Sequence, residues 1–374
     1  MNIEICEVDT HRDLKKFVHF PYRLYAGNKY WVPPLRMDEI NTLRRDKNPA
    51  FEFCEARYWL ALQDGKVNGR IAAIINHRFN EKCGKRYMRF GWVDFVDNFD
   101  VSRSLFEAVE KWAHDFDMNS LHGPLGFTDM DNEGMLIEGF EELGTLATIY
   151  NHAYYPDHLE RLGFRKDIDW IEFEIEPPEQ IPEKIDRIAD LALKRSKLHL
   201  LKIKKAKELL PYAHEIFQVI NEAYQDLYGF VPLTDRQIDY YVKQYFGFIN
   251  PEFVPVVLDT SGHVAAFGIT MPSLSRALQK SNGRLFPFGF WHLYKAMKKN
   301  DRVDLYLTAV RPELQNKGVN AILIREMNKI YIKHHITRAE SNPELESNLK
   351  VQAQWRTMRN RQHKRRRCFI KHLT

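Results

Sequence analysis

The chain has 374 residues, of which 44% are hydrophobic and 28% are charged. This composition supports a large buried core, excludes an intrinsically disordered chain, and favours two domains over one or three. The four cysteines form no CxxC pair, which argues against a zinc knuckle and a disulfide framework, so no metal is expected.

The chain shows no signal for secretion or for crossing a membrane. Its opening, Met1–Glu7, carries two acids where a secretion signal has a basic start and an apolar run. No later segment approaches the ~20 apolar residues of a membrane span. We therefore predict a cytoplasmic protein without a transmembrane segment.

The predicted elements occur in the same order in the two halves of the chain. In the first half, strand-like runs at 58–62 and 67–75 flank an Asp-Gly turn, which predicts a β-hairpin. In the second half, runs at 254–258 and 263–269 repeat this pattern. Each hairpin is followed by a β-rich run and an amphipathic helix, at 88–96 and 102–115 in the first half and at 303–310 and 320–334 in the second. This order indicates duplication of one unit.

The boundary between the two units is predicted near Pro178. Before it, a helix stopped by Gly163 leads into a strand at 169–175. Pro177, Pro178 and Pro182 then interrupt an acidic stretch, and a proline-rich acidic segment is typical of an exposed linker. The predicted domains are 1–178 and 179–374.

The segment with the most chemical information is a strand at 305–310 that leads through a turn into a helix at 322–332. Pro312 cannot continue a sheet ladder, and Gly318 lets the backbone approach a ligand closely. The first N–H groups of the helix have no partner within the helix and favour an anion. The pattern fits a diphosphate site, although a turn without any ligand would share the proline and the glycine.

The pattern Val310-x-Pro312-x-x-Gln315-x-x-Gly318 resembles the pyrophosphate loop of the GNAT (acyl-CoA N-acyltransferase) superfamily. The resemblance implies an α/β (α+β) fold of two GNAT-like domains, each a mixed, mostly antiparallel twisted sheet flanked by helices. It also implies acetyl-CoA or another acyl-CoA as co-substrate. Asn320 departs from the family pattern, which usually has a second small residue at this position.

The resemblance also implies which residues bind the cofactor. The turn would surround the diphosphate of CoA, and the exposed backbone of the strand end would pair with the pantetheine arm. The implied residues are Ala309, Val310, Gln315, Asn316, Lys317, Gly318, Val319, Asn320 and Ala321, with Asn348 or Asn342 as a further polar contact. Trp355 stands where the family has a tyrosine that protonates the thiolate, so another group must supply that proton.

A carboxylate is the usual base for removing a proton from an amine, whose ionised form is strongly preferred at neutral pH. Glu340 is the predicted catalytic base, and Asp304 is the alternative. Either carboxylate could instead be a solvated acid at a strand end.

The first half lacks an equivalent diphosphate turn. Its junction at 95–102 has two acids and no glycine, so we predict that this half has lost CoA binding. Asp100 or Ser102 would cap the helix. The segment 129–134 begins like a calcium loop but has Phe140 at the twelfth position, which leaves a loop lining a cleft or an acidic surface turn.

Two further segments are unusual in composition. Arg365, Arg366 and Arg367 lie in a basic terminus that we predict to be a final strand with its cations facing solvent. Contact with CoA phosphates or with an acidic or lipid-headgroup substrate is the alternative, and no nucleic acid binding is expected because aromatic residues do not interleave the run. The apolar loop at 286–291 would cover an acyl chain or pack between the domains.

Together these features predict a bacterial N-acyltransferase of the tandem-domain type. The C-terminal domain would transfer an acyl group, acetyl being the first expectation, from CoA to an amine by direct attack. The acceptor would be a small molecule or a lipid headgroup. The alternatives are a binding module that has lost its chemistry, and an aminoacyl transferase that uses charged tRNA. The sequence does not indicate the oligomeric state.

Overall fold

The computed structural model describes residues 3–373, so Met1, Asn2 and Thr374 lie outside the described residues. The strands are β1 (Ile3–Glu7), β2 (Cys54–Gln63), β3 (Lys66–Asn76), β4 (Tyr87–Phe95), β5 (Ser120–Gly123), β6 (Met135–Glu138), β7 (Arg165–Glu176), β8 (His199–Leu200), β9 (Val256–Leu258), β10 (Val264–Pro272), β11 (Arg302–Val310), β12 (Arg338–Glu340), β13 (Glu344–Leu345) and β14 (Arg359–His372). The helices are α1 (His11–Leu24), α2 (Arg36–Thr42), α3 (His77–Cys83), α4 (Phe99–Asp115), α5 (Tyr154–Arg161), α6 (Glu183–Arg195), α7 (Ala213–Ala223), α8 (Asp235–Tyr245), α9 (Ser275–Ser281), α10 (Gly289–Lys298), α11 (Val319–Lys333) and α12 (Leu349–Gln352).

The strands form one continuous mixed sheet. Its main order is β1-β2-β3-β4-β5-β14-β7-β12-β11-β10-β9-β8, with β6 beside β14 and β13 beside β7. Neighbours are antiparallel except for β4 with β5 and β11 with β12. The predicted fold class, a mostly antiparallel mixed sheet flanked by helices, is confirmed.

In both parallel strand pairs, the two strands pair over only three residues and then separate. In the first half, β4 and β5 pair only from Tyr87 to Arg89 on β4. In the second half, β11 and β12 pair only from Arg302 to Asp304 on β11. Beyond these residues no described strand pairs with β11 on this side. The later part of β11 therefore has an edge free of strand pairing, and the carbonyls of Tyr306 and Thr308 accept hydrogen bonds from the side chains of Asn342 and Tyr224.

Both halves also carry a β-bulge on the strand that opens. On β11, Leu305 and Leu307 lie opposite two consecutive residues of β10, which leaves Tyr306 as the extra residue. On β4, the register against β3 shifts by one residue near Trp92, which has a φ of 42°. A bulge redirects the side chain of the extra residue. The shared order, opening and bulge are what duplication of one unit predicts.

The two halves exchange their final strands. β14, the last strand of the chain, lies between β5 and β7, and β7 lies between β14 and β12. Each half of the sheet therefore contains a strand from the other half of the sequence. The predicted linker lies between β7 and α6, and the independence of the domains 1–178 and 179–374 stays a prediction.

The basic terminus forms the predicted final strand, but its cations do not all face solvent. Lys364 and Arg366 are each only 1% exposed, which corrects the prediction. The cause is the central position of β14, where both side chains form ion pairs with the buried Glu172. Arg365 and Arg367 instead pair with Asp169.

Two local predictions also need correction. The N-cap of α4 is Asn98, whose side chain accepts a hydrogen bond from the backbone of Asp100, so neither Asp100 nor Ser102 is the cap. In the loop at 286–291, Phe286 and Phe288 are 74% and 73% exposed, so they do not pack between the halves, whereas the covering of an acyl chain by this loop stays a prediction.

Helices cover both faces of the sheet. α4 packs on β1, β2 and β3, and α11 packs against α6 and β10. Between residues 3 and 373, no helix combines the length and the hydrophobicity needed to span a bilayer.

Candidate functional site

The turn before α11 presents a row of unpaired backbone N–H groups. Gly318 is the N-cap of α11, and no side chain caps the helix there. Within residues 3–373, the N–H groups of Asn316, Lys317, Gly318, Val319 and Asn320 donate to no protein acceptor. Five adjacent amides without acceptors at a helix N-terminus form the arrangement that binds a phosphate group.

The structure shows a reason for glycine at position 318 that the sequence does not reveal. Its φ of +81° is one that other residues rarely adopt, and a Cβ there would lie 3.0 Å from Cγ2 of Ile188 on α6. The missing side chain therefore allows α6 to pack closely against the turn. Close approach of the backbone to a ligand, the reason given from the sequence, stays a prediction.

The other predicted cofactor residues separate into an exposed and a buried set. The side chains of Gln315, Asn316, Lys317 and Asn320 are exposed, whereas Ala309, Val310, Val319 and Ala321 belong to the core. The backbones of Ala309 and Val310 pair with β10. Asn348 caps α12, and Asn342 donates a hydrogen bond to the carbonyl of Tyr306 at 3.1 Å. All of these assignments stay predictions.

The equivalent junction of the first half is closed by its own side chain. Asn98 accepts a hydrogen bond from the N–H of Asp100, and its carbonyl accepts from Val101 and Ser102. His158 lies 3.1 Å from the carboxylate of Asp97. The first half thus places an acid where the second half has free donors.

A cavity of about 360 Å³ lies between the two halves. Its wall comes from α1, α2 and β4 of the first half and from α7, α8 and β11 of the second. It contains the residues of both bulges, Trp92 and Tyr306, together with Leu307 and Asn342 beside the free edge of β11. The opening between β11 and β12 therefore leads into this cavity.

The cavity wall is mainly apolar but carries an excess of carboxyl groups. Asp94 forms a buried ion pair with Arg70 at 2.7 Å. The other acids of the wall form no ion pair in the part of the chain that the structure describes: Asp38, Glu39, Asp129 and Asp131. Burial raises the pKa of all four carboxyls, that of Asp131 to about 6. A cationic ligand would offset the free-energy cost of burying these carboxyls in their ionised form.

The loop at 129–134 is therefore part of the cavity wall. Asp129 and Asp131 line the cavity, so of the two interpretations of this loop the cleft lining is confirmed and the surface turn is wrong. Asp131 accepts hydrogen bonds from the N–H groups of Phe127 and Thr128, at 2.8 and 3.1 Å. These bonds fix the carboxylate at the cavity.

Asp304 and Tyr306 form a second polar element beside the cavity. Tyr306 lines it, and among the described residues neither the Tyr306 hydroxyl nor Oδ2 of Asp304 has a hydrogen-bond partner. Burial and the neighbouring Glu340 raise the pKa of Asp304 to about 7. Burial and Asp304 raise the pKa of Tyr306. A carboxyl that titrates near neutrality beside a protonated phenol is suited to moving a proton.

Glu340 lies in a different environment. It pairs with Lys364 and lies 3.1 Å from His363 Nε2. Burial alone would raise the pKa of Glu340, but these two groups outweigh it and hold the pKa at about 2. Such a carboxylate has little affinity for a proton, so this geometry favours Asp304 as the base, and the role of Glu340 stays a prediction.

Among the described residues, two groups of side chains have the composition of a metal site, and protein atoms already occupy both. In the group of Glu172, Glu340 and His363, the Lys364 ammonium contacts both carboxylates. In the group of His122, Asp167 and Cys368, the Tyr228 hydroxyl contacts all three side chains. Neither group supports a metal ion as part of the site.

Trp355, which stands where the family pattern has a tyrosine, is buried. Trp355 donates from Nε1 to Glu344 at 2.7 Å, and burial raises the pKa of Glu344 to about 7. Neither side chain lines the cavity. Tyr306 is the protonated phenol that the sequence does not single out.

No family model matches the chain. Among curated proteins, it is 27% identical over 370 residues to protein YghO of Escherichia coli K12, which covers 96% of this chain and 93% of that protein. It is 26% identical over 312 residues to the bacterial ceramide synthase of Caulobacter vibrioides, covering 81% of this chain and 80% of that protein.

Solved structures of a tandem GNAT protein and of a probable N-acyltransferase resemble this chain in fold. A tandem GNAT protein from the clavulanic acid biosynthesis pathway superposes with a TM-score of 0.55 at 12% identity, over 99% of this chain and 98% of that one. A probable N-acyltransferase from Enterococcus faecalis superposes with a TM-score of 0.53 at 8% identity, over 100% of this chain and 73% of that one. The chain thus has the tandem-domain fold of the GNAT superfamily, as the motif from Val310 to Gly318 predicts.

Proposed function

We propose that this protein is an acyl-CoA-dependent N-acyltransferase whose second half binds CoA. The observation that carries the proposal is the row of five unpaired N–H groups from Asn316 to Asn320, at the end of a strand with a free edge. From Val310 back to Tyr306 the strand spans roughly 13 Å. A CoA thioester bound along this edge would have its diphosphate at the turn and its reactive carbonyl at the cavity.

The acceptor that best fits the cavity is a primary amine attached to a long apolar chain. The apolar wall suits the chain, and the unpaired acids of the wall, such as Asp38 and Glu39, suit an ammonium group. The ceramide synthase relative supports this acceptor class, because a ceramide is an amide of a long-chain amine. The reaction would take place in the cytoplasm.

The proposed reaction needs no covalent enzyme intermediate. The bound ammonium group first releases a proton to solvent. The neutral amine nitrogen then attacks the thioester carbonyl, and the carbon–sulfur bond breaks as the amide forms. The proton lost by nitrogen passes to the Tyr306 hydroxyl, whose own proton passes to the neighbouring Asp304 when the two groups come within hydrogen-bond distance in the complex with substrate. The leaving thiolate of CoA then takes a proton from this pair or from water, so that protons balance over the cycle.

Release of CoA thiol from acyl-CoA in the presence of a long-chain 2-amino alcohol tests this function. We expect turnover with the purified chain, and an amide product of the mass of the amine plus the acyl group. A series from acetyl-CoA to palmitoyl-CoA would determine the preferred acyl length. CoA binding without turnover of any acyl-CoA and amine pair would contradict the proposal.

Replacing Asp304 by asparagine should lower kcat about a hundredfold, within the range found for general bases. The carboxylate accepts a proton only when ionised, and its pKa is about 7. For the native protein, log kcat should therefore rise with pH, with a slope near one below pH 7, and level off above it. The pH profile of Asp304→Asn should lose this step. An unchanged profile would exclude Asp304, and the same experiment on Glu340→Gln tests the other carboxylate.

The paired change Asp38→Asn and Glu39→Gln should raise the KM for the amine about tenfold, equivalent to about 1.4 kcal/mol. Both carboxyls line the cavity without an ionic partner among the described residues, so their removal weakens attraction of an ammonium group. The KM for acyl-CoA should not change, because the turn before α11 is separate. Asp64→Asn, at an exposed hairpin turn, is the control, and an equal rise in both KM values would contradict this role.

A further inference from the structure

The segment containing α9 and α10 exposes five large aromatic side chains. Phe286 and Phe288 are 74% and 73% exposed, and the three aromatic residues of α10 are about half exposed. We call these five residues the aromatic surface: Phe286, Phe288, Phe290, Trp291 and Tyr294. A soluble protein rarely leaves so much contiguous apolar surface in water without a binding function.

The segment that carries the aromatic surface has only positive charges. From Ser273 to Asn300 the chain has no acidic residue. Its six cations are Arg276, Lys280, Arg284, Lys295, Lys298 and Lys299. None of the six forms an ion pair with another described residue. Lys295 and Lys298 lie over the rings of Trp291 and Tyr294, at 5.1 and 5.9 Å.

The opposite face of the same segment forms part of the cavity. Leu274 at the start of α9, Leu278 of α9 and Leu293 of α10 are buried and line it. The segment is fixed to the first half, where the N–H of Arg36 donates to the carbonyl of Gly283 at 3.0 Å. One layer of helix, roughly 10 Å thick, thus separates the aromatic surface from the cavity.

From these observations we propose that the aromatic surface docks the protein on an anionic lipid bilayer. Aromatic side chains interleaved with lysine are the pattern of segments that lie in the membrane interface, with the rings at the headgroup level and the cations on lipid phosphates. The charge pattern favours this occupant over a protein partner, which would need a surface with matching acids. Docking would bring the cavity within one helix of the lipids.

Co-sedimentation of the full chain with vesicles tests the proposal without CoA or substrate, so its outcome is independent of the proposed function. We expect binding to vesicles of phosphatidylcholine and phosphatidylglycerol (3:1), and at least tenfold weaker binding to phosphatidylcholine alone. The change Phe288→Ser with Phe290→Ser should lower binding to the mixed vesicles at least tenfold. Lys295→Glu with Lys298→Glu should do the same and should also remove the preference for anionic lipid.

Matched controls separate docking from a general effect of exposed residues. Leu191 and Leu349 are 44% and 63% exposed on other elements, and their joint change to serine should leave binding unchanged. Vesicle binding by the native chain should shift its tryptophan fluorescence to shorter wavelength. The change Trp291→Phe should remove this shift.

Absence of vesicle binding, or equal binding by the double phenylalanine variant and the native chain, would overturn the proposal. So would a dimer in solution that Phe288→Ser dissociates, because a second copy would then be the occupant. Unfolding curves that coincide with the native curve establish that each variant is folded.

Discussion

Exchange of Lys317 and Asn320 for glutamate is expected to raise the Kd for CoA at least a hundredfold, or about 2.7 kcal/mol. Both side chains are exposed on the turn whose N–H groups have no acceptor among the described residues. Two carboxylates within several ångströms of two phosphates each contribute a repulsion on the order of 1–4 kcal/mol at surface dielectric constants. Titration calorimetry with CoA measures the change directly.

The fold should tolerate this pair of changes. Acidic residues in the first turn of a helix interact favourably with its dipole, so the unfolding midpoint should stay close to that of the native chain. Lys111→Glu, an exposed site on α4, repeats the reversal of one lysine far from the turn and should leave CoA binding intact. Native affinity in the double variant would remove the turn from the CoA site, and with it the observation on which the acyltransferase proposal rests.

Asn320 stands where the family pattern has a small residue, and its effect on CoA binding can be tested. Its side chain is exposed at the start of α11 rather than packed into the turn. A glycine at this position should therefore leave the Kd for CoA within about threefold, since no crowding is relieved. A large gain in affinity would show that the asparagine obstructs the cofactor.

Much of the fold follows from local sequence patterns. The Asp-Gly turn at 64–65 connects β2 and β3 as predicted, because both turn residues have positive φ values. The helix before Gly163 ends as predicted, with Gly163 at a φ of 88°. These features depend on a few adjacent residues, so a single sequence is sufficient to predict them. The motif from Val310 to Gly318 is local in the same sense.

The cavity could not be predicted because its residues are distant in the sequence. Asp38 and Asp131 come from the first half and Tyr306 from the second, and only the packing of the halves brings them together. Tyr306 is directed to the cavity by a bulge, which depends on the register between β10 and β11. Neither strand alone contains that information.

The exchanged strands are the other feature that local patterns do not reveal. The basic run around Arg366 is typical of a solvated strand, and only the adjacent β7 explains its burial. Glu172 on β7 is completely buried and pairs with both Lys364 and Arg366 of β14. A cation can be this deeply buried when a carboxylate of another strand compensates it.

Glu172→Leu should therefore destabilise the protein by about 3–5 kcal/mol, which is the usual cost of leaving buried charge unpaired. Among the described residues, the Arg366 guanidinium would keep the carbonyl of Ile149 as its partner, whereas Lys364 would keep Glu340. Urea unfolding followed by circular dichroism measures the loss. Because β14 and β7 belong to opposite halves of the sequence, the native chain and the variant should each unfold in one transition.

The double change Glu172→Leu with Arg366→Met distinguishes lost pairing from lost packing. Replacing both charges with apolar side chains removes the unpaired cation, so the double variant should be more stable than Glu172→Leu alone by about 1–4 kcal/mol. Glu107→Gln breaks an exposed pair with Arg103 and should change stability by less than about 0.5 kcal/mol. If the double variant were the less stable one, packing of the Arg366 side chain would matter more than its pairing with Glu172. Separate transitions for two units would mean that the exchanged strands do not couple the halves.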